Sequence, residues 1–406
     1  MFARTLASTI GNVSKSFPVL LLTGPRQVGK TTLLAECDHG KRHYVTLDDL
    51  DQRQLARTDP SLFLETHKTP LLIDEVQYAP QLFSAIKMRV DKEKRAGQFW
   101  LIGSQKFHLM KGITESLAGR VAILDLLGFS EKEKEGLASA QTPFIPTADW
   151  LERAAGVAVN LDVGELYRRI WQGSYPMLCS NSDVSRDIFY NSYLQTYIER
   201  DVKDILKVTD ELSFYNFIRA VAARTGQLLN YADLARDVDI DQKTAKSWLS
   251  TLETSGIVKL LAPYHSNITK RIIKTPKLYF LDTGLAAFLT RWNTPQSLAA
   301  GAMNGAFFET HVFIEILKSY WHNGKYPNLY YYRDADQKEI DFVIEQNMIL
   351  HPVEVKKTAA PSLSGVRAFE CLRKFKKKVG GGAVICLRQG HIPLSKEVVA
   401  VNVGYL

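Results

Sequence analysis

The sequence predicts an α/β protein built on a parallel sheet, and three stretches carry that expectation. The first runs from Phe17 to Leu34. Its apolar run Val19–Leu22 turns through Gly24-Pro25-Arg26-Gln27-Val28-Gly29-Lys30-Thr31 and continues in residues that favour a helix. The second is the alternation of short apolar runs with helical stretches up to about residue 127. The third is Leu71-Leu72-Ile73-Asp74-Glu75, an apolar run that delivers two acids to a strand's carboxyl end.

Strand, G-x-x-x-x-G-K-[ST], helix is the setting in which this motif binds a nucleoside triphosphate. Gly24 and Gly29 let the backbone bend tightly enough for its N–H groups to surround phosphate oxygens. The start of the following helix adds free donors and a favourable dipole. Lys30 is expected on the β- and γ-phosphates and the Thr31 hydroxyl on Mg²⁺. The predicted binding set is Gly24, Pro25, Arg26, Gln27, Val28, Gly29, Lys30, Thr31 and Thr32. Asp74 is expected beside Mg²⁺, and Glu75 is expected to polarise the attacking water.

The strand candidates of this core are Val19–Leu22, Tyr44–Leu47, Leu71–Ile73, Phe99–Ile102 and Val121–Leu126. Beyond them the chain is too long, at 406 residues, for one ordinary core. Four units are expected: a phosphate-binding core over 1–130, a helical lid over 131–205, a helix-turn-helix unit over 206–285 and an α/β unit over 286–406. With 46% apolar and 23% charged residues, the composition is that of a water-soluble globular protein. The net charge of +8 favours a polyanionic partner. Cys37, Cys179, Cys371 and Cys386 are scattered without a C-x-x-C pair, which argues against a zinc ribbon or a disulfide framework. That usage, an amphipathic first segment and the lack of a long apolar run predict a cytoplasmic protein with no membrane contact.

The fourth strand candidate ends in Gly103-Ser104-Gln105, and here the chain begins to resemble the AAA+ ATPases. The resemblance implies that Ser104, with Gln105 as a second choice, contacts the γ-phosphate or the lytic water. It also marks Arg120, in Ser116-Leu117-Ala118-Gly119-Arg120, as an arginine finger toward a neighbouring subunit, hence a homo-oligomer. A surface ion pair is the other reading of Arg120. Residues 129–200 read as mainly helical with a polar break at Gln141–Asp149, the place of an AAA+ lid. Within them Gly173-Ser174-Tyr175-Pro176 looks like a turn that touches the nucleoside, with Pro176 as the contact; a plain tight turn stays open.

From Thr209 to Tyr279 the pattern is helix, turn, helix and hairpin. Asn230–Ala235 opens a short helix, and Gln242–Thr254 forms a second. Ala245, Trp248, Leu249 and Leu252 face inward on it, leaving Lys243, Thr244, Lys246 and Ser247 outward. Strands at Gly256–Leu261 and Lys277–Phe280 enclose Lys270, Arg271 and Lys274. The order resembles a winged helix-turn-helix, for which DNA backbone contact and protein docking both remain open.

In Ala302–Trp321, Glu309 shares the inward side of a helix with Val312 and Phe313. Strand candidates follow at Leu329–Tyr332, Glu339–Ile344 and Ile349–Val355. Glu354 and Lys356 are two apart, so they share a face that a hairpin can bring opposite Asp341. Two carboxylates with a lysine suit a divalent metal that activates water against a phosphodiester; a cross-strand ion-pair pattern on a solvated face is the alternative. The order of helix acid, D and E-x-K resembles the restriction-endonuclease-like nuclease fold. That resemblance makes Glu309, Asp341 and Glu354 metal ligands, with Asp341, Glu354 and Lys356 catalytic. The fold's usual proline before the first acid is absent, since Ile340 precedes Asp341. A basic helix end is expected over Arg373–Lys378.

The order of parts resembles a bacterial and archaeal family of AAA+-like ATP-binding proteins with a restriction-endonuclease-like carboxyl-terminal domain. Tyr197-Ile198-Glu199-Arg200-Asp201, Lys270-Arg271, Asp282-Thr283-Gly284-Leu285 and Tyr331-Tyr332-Arg333 look like that family's recurring segments. The resemblance implies ATP and Mg²⁺ as cofactors, ATP hydrolysis, and a role on DNA with metal-dependent cleavage. A nucleotide-switched scaffold with a silent nuclease-like domain is the competing reading, and a DNA remodeller without cleavage a third.

Overall fold

The computed structural model describes residues 2–103, 116–159, 161–197, 211–267, 271 and 274–406. Strands β1 (Val19–Thr23), β2 (His43–Thr46), β3 (Leu71–Asp74), β4 (Phe99–Gly103) and β5 (Val121–Asp125) form one wholly parallel sheet, in the order β2-β3-β4-β1-β5. Each strand lies within a residue or two of its predicted run. Alternation of side chains gives the sheet two buried faces. Val19, Leu21, Ile73 and Leu101 pack on Phe63, Phe83 and Ile86 from the helices Pro60–Thr66 and Leu82–Glu93. Leu20, Leu22, Trp100 and Ile102 pack the other way, on Leu33 and Leu34 of the helix Lys30–Asp38 and on Leu6 and Ile10 of the helix Leu6–Val13. This arrangement delivers Thr23, Asp74 and Gly103 to one sheet edge, where ligands of open α/β sheets bind.

The middle of the chain is helical as expected, over Glu131–Lys134, Ala148–Ala155, Val163–Gln172, Pro176–Ser180 and Arg186–Tyr197. A helix Glu211–Ala222 then precedes β6 (Gln227–Leu228), the helices Tyr231–Asp237 and Gln242–Thr254, and β7 (Val258–Leu261) with β8 (Lys277–Phe280). The three strands form an antiparallel sheet in the order β6-β8-β7. Both short helices start at side-chain caps: Asn230 accepts from the N–H groups of Ala232 and Asp233, and Asp241 from those of Lys243 and Thr244.

The carboxyl-terminal unit is a long helix, Asn304–Trp321, on a mixed sheet. Its strands are β9 (Leu329–Arg333), β10 (Glu339–Gln346), β11 (Ile349–Lys356), β12 (Lys378–Val379), β13 (Gly382–Cys386), β14 (His391–Pro393) and β15 (Val398–Asn402). The order is β14-β15-β13-β11-β10-β9, with β12 beside β11; β9, β10 and β11 are antiparallel, whereas β11, β13 and β15 are parallel. One apolar core runs from the β1 sheet through the helical middle to Phe308, Val312, Phe313 and Ile316 of the long helix.

Two expectations are corrected. The basic run at Arg373–Lys378 is not an α-helix: 3₁₀ turns end at Phe375, Lys376 is left-handed with φ 54°, and Lys378 opens β12. Lys377 pairs with Glu345, and Lys374 donates to the Tyr332 hydroxyl, so the run is tied to its own sheet. Arg271, read as one of the basic residues between the hairpin strands and so as a candidate for backbone phosphate contact, is instead packed inward. It stacks on Tyr264 and Tyr330, both at 4.6 Å, and donates to the Tyr330 hydroxyl at 2.8 Å. Ser104, Gln105, Ile198–Asp201 and Lys270 lie outside the described residues. All four cysteine thiols are free, and among the described residues no helix is long and apolar enough to cross a membrane.

Candidate functional site

The glycine loop after β1 is built as its sequence requires. Gly24 has φ 145°, and a Cβ there would stand 2.1 Å from the Leu126 carbonyl oxygen, so only glycine fits. Gly29, at φ 88°, is the left-handed residue that starts the helix Lys30–Asp38. Lys30 Nζ donates to the carbonyls of Gly24 and Pro25 at 3.0 and 2.7 Å, folding the ammonium over the loop. The Thr31 hydroxyl donates to Asp74 Oδ2 at 2.8 Å, joining the motif to the end of β3. Glu75 follows at φ 54°, a strained conformation outside glycine, with its carboxylate held by Gln77 Nε2.

A cavity of about 560 Å³ opens over Arg26, Gly29, Lys30, Thr31, Asp74 and Glu75, a volume suited to a nucleotide. Gln27, at φ 60°, and Thr32 line the same space. The residues fit Mg²⁺ with a triphosphate: a hydroxyl and a carboxylate already meet, and a lysine and helix N–H groups face the same space. Two further residues escaped sequence reasoning. Tyr44 donates to Asp74 Oδ2 at 3.2 Å, and Thr196 lines the cavity. Thr196 immediately precedes the segment from Tyr197 to Asp201 singled out above, which was the available signal.

The Gly173–Pro176 turn lies against this loop. Pro176 Cγ stands 3.7 Å from where a Gly29 Cβ would be, and Val28 and Pro25 approach Ser174 and Tyr175 across a small void. The turn is held by Asp282, whose carboxylate accepts from the Ser174 N–H and hydroxyl, both at 2.8 Å, from the Tyr190 hydroxyl at 2.9 Å and from the Leu285 N–H at 2.8 Å. This is the physical content of the Asp282-Thr283-Gly284-Leu285 segment. Arg120 makes a bidentate pair with Asp91, at 2.5 and 2.9 Å, in the exposed position its second reading describes.

At the carboxyl-terminal cluster Asp341 Oδ2 accepts from the Val355 N–H at 2.8 Å, and Lys356 Nζ lies 2.6 Å from Glu354 Oε1. The hairpin β10–β11 thus brings Asp341, Glu354 and Lys356 together, as predicted. Glu309 also arrives, but with company. Lys277 Nζ, from β8, lies 3.0 Å from Glu309 Oε1, 2.5 Å from Glu339 Oε1 and 3.9 Å from Asp341 Oδ1. The Tyr279 hydroxyl donates to the same Glu309 oxygen at 2.5 Å.

Burial, Glu309 and Glu354 together push Asp341 well above the ordinary carboxylate range. Burial works against the Lys277 ammonium, but Glu309, Asp341 and Glu339 outweigh it and hold Lys277 above the usual lysine range. As a metal site the arrangement does not fit. Among the described residues only Glu131, His311 and Glu315 bring three ligand atoms within 4.8 Å of one another. The expectation that Glu309, Asp341 and Glu354 converge on one ion is therefore corrected: an ammonium stands among the acids.

The trio that does converge is an ion-pair network. Glu131 accepts from Lys134 at 2.9 Å and Arg169 at 2.8 Å, and Glu315 from Lys318 and from the Glu131 N–H, both at 2.9 Å. All four carboxylate oxygens are committed.

Comparison with known proteins bears on these sites. Residues 16–134 match the model of an AAA domain; residues 163–296 and 304–406 match two domains of unknown function, DUF8612 and DUF4143. The uncharacterized proteins Rv2008c of Mycobacterium tuberculosis and Mb2031c of Mycobacterium bovis are each 28% identical over 98% of this chain and 83% of their own length. The Walker-type ATPase PABY2304 of Pyrococcus abyssi aligns over 71% of this chain and 96% of its own, at 15% identity and a TM-score of 0.43. RuvB of Thermotoga maritima aligns over 63% and 85%, at 17% identity and a TM-score of 0.29. The match over residues 16–134, which spans the glycine loop, Asp74 and Glu75, assigns the amino-terminal part of the chain as an AAA+-like P-loop ATPase domain.

Proposed function

We propose that this chain is a Mg²⁺-dependent ATPase whose nucleotide state is relayed to a DNA-binding winged helix formed by residues 211–280. The observation that carries the reading is the contact between the glycine loop and the helix–hairpin turn. A Cβ on Gly256, at φ 76°, would stand 2.9 Å from Pro25 Cγ. The helix ending at Thr254, which exposes Lys243 and Lys246, therefore abuts the phosphate loop itself.

Lys30 and the loop N–H groups bind the phosphates, and Glu75 orients the water. Mg²⁺, held by Thr31 and Asp74, would neutralise charge on the phosphates. The exposed lysines meet a DNA backbone, and the positive net charge of the chain adds long-range attraction. In a homo-oligomer, release of the exposed Arg120–Asp91 pair would free Arg120 to reach a neighbour's nucleotide.

Equilibrium ATP binding, ATP turnover and binding of a labelled duplex over a salt series test the reading together. Lys30→Ala should lose nucleotide binding, and Glu75→Gln should keep it and lose turnover. Lys243→Glu with Lys246→Glu should weaken the duplex complex and flatten its salt dependence. Turnover by Glu75→Gln at the parental rate removes Glu75 from its role, and duplex binding indifferent to salt removes the DNA assignment.

A further inference from the structure

The carboxyl-terminal acids belong to one unit, but the cation among them comes from another. Glu309 lies on the long helix, and Glu339 and Asp341 share one face of β10. Lys277 starts β8 of the three-stranded sheet, and its side chain is only 4% exposed. Its ammonium contacts Glu309 and Glu339 directly and approaches Asp341. Tyr279, two residues along and on the same face of β8, braces Glu309. A charged amine is held this deeply only when acids surround it, and buried acids need a cation in return. The match is therefore reciprocal. A divalent ion at the same centre would compete for the same oxygens and be repelled by the ammonium.

We propose that Lys277 is the built-in cation of this carboxylate cluster and holds the place a divalent ion would otherwise take, so that the folded chain binds no metal there. The three-stranded sheet, through one side chain, thus neutralises acids of the carboxyl-terminal unit. Because β8 pairs with β7, and β7 begins two residues after Gly256, the sheet that supplies this cation is the one whose turn touches the phosphate loop.

The test is Mn²⁺ uptake by the nucleotide-free full chain, read by electron paramagnetic resonance, with melting temperature as a second readout. In the parent, Asp341→Asn should leave the Mn²⁺ isotherm unchanged. Lys277→Met should gain one bound Mn²⁺, lost again when Asp341→Asn is added. The Lys277→Met chain should melt below the parent in chelator and rise by about 5 °C in saturating Mn²⁺, while the parent stays put. Should Lys277→Met be too unstable to handle, Lys277→Met with Glu339→Gln removes one uncompensated acid and is held to the same gain.

Parental uptake that depends on Asp341 and matches that of Lys277→Met overturns the proposal. Failure of Mn²⁺ to bind or rescue both Lys277 variants overturns it as well.

Discussion

Lys277 was the residue least legible in the sequence and Asp341 among the most. Asp341, Glu354 and Lys356 are announced by spacing, because a period of two and a hairpin fix where they meet. Lys277 heads an apolar strand far away in the chain, and only tertiary contact reveals its role. A faint signal existed: Lys277 and Tyr279 alternate on one face, as do Glu339 and Asp341, so each strand presents a polar pair to the other unit.

Asp341 also carries a pH dependence. In the unfolded chain its carboxyl titrates near the ordinary value, about 3.9. In the folded chain burial, Glu309 and Glu354 raise it. Between the two values the folded state holds the extra proton, so the stability this group contributes is full at low pH and lost as pH climbs. Asp341→Asn should therefore raise the melting temperature at neutral pH in chelator, and should flatten its decline with pH above the carboxylate range. Parallel melting curves for the two chains across pH 4–8 would refute this.

At the scale of elements, the parallel sheet and both capped helices of the middle unit were readable, because alternation, Asn230, Asp241 and the glycine pattern act locally. The basic run near the end was misjudged for the opposite reason: composition gave a helix, but Lys377 and Lys374 are claimed by Glu345 and Tyr332 across the sheet. The Asp282 segment shows how one side chain serves several elements. It caps the helix Thr283–Leu289, fixes the Gly173–Pro176 turn and anchors Tyr190. Replacing it leaves several buried donors without an acceptor, each costing roughly 1–3 kcal/mol. Asp282→Ala should lower unfolding free energy by about 3–5 kcal/mol in urea titration and weaken nucleotide binding through the displaced turn. Asp282→Asn, which keeps an acceptor oxygen, should cost clearly less.

Over the whole molecule, the resemblance of ordered parts suggests an order of units, but nothing local tells how closely they join. The joint is the long helix. His322 accepts from the Leu127 N–H, Lys318 donates to the Phe129 carbonyl, and Glu315 accepts from the Glu131 N–H. Burial opposes the charge on Glu133, but His322 and Arg4 hold that carboxyl below its usual range. Breaking a buried pair while leaving its partner charged costs about 3–5 kcal/mol. Glu315→Gln should lose stability of that order in denaturant titration, and Glu315→Leu with Lys318→Met should recover most of it. Equal losses in the single and double variants would show that packing rather than charge is at stake.

That joint decides how the protein can be dissected. The backbone leaving β5 finds its hydrogen-bond partners on a helix almost two hundred residues downstream. A fragment cut after residue 303 would strip those peptide groups of their side-chain partners and bare the Tyr279 ring on which Phe313 now stacks. The glycine-loop unit therefore cannot be harvested as a free-standing bead; its fold is finished by the long helix.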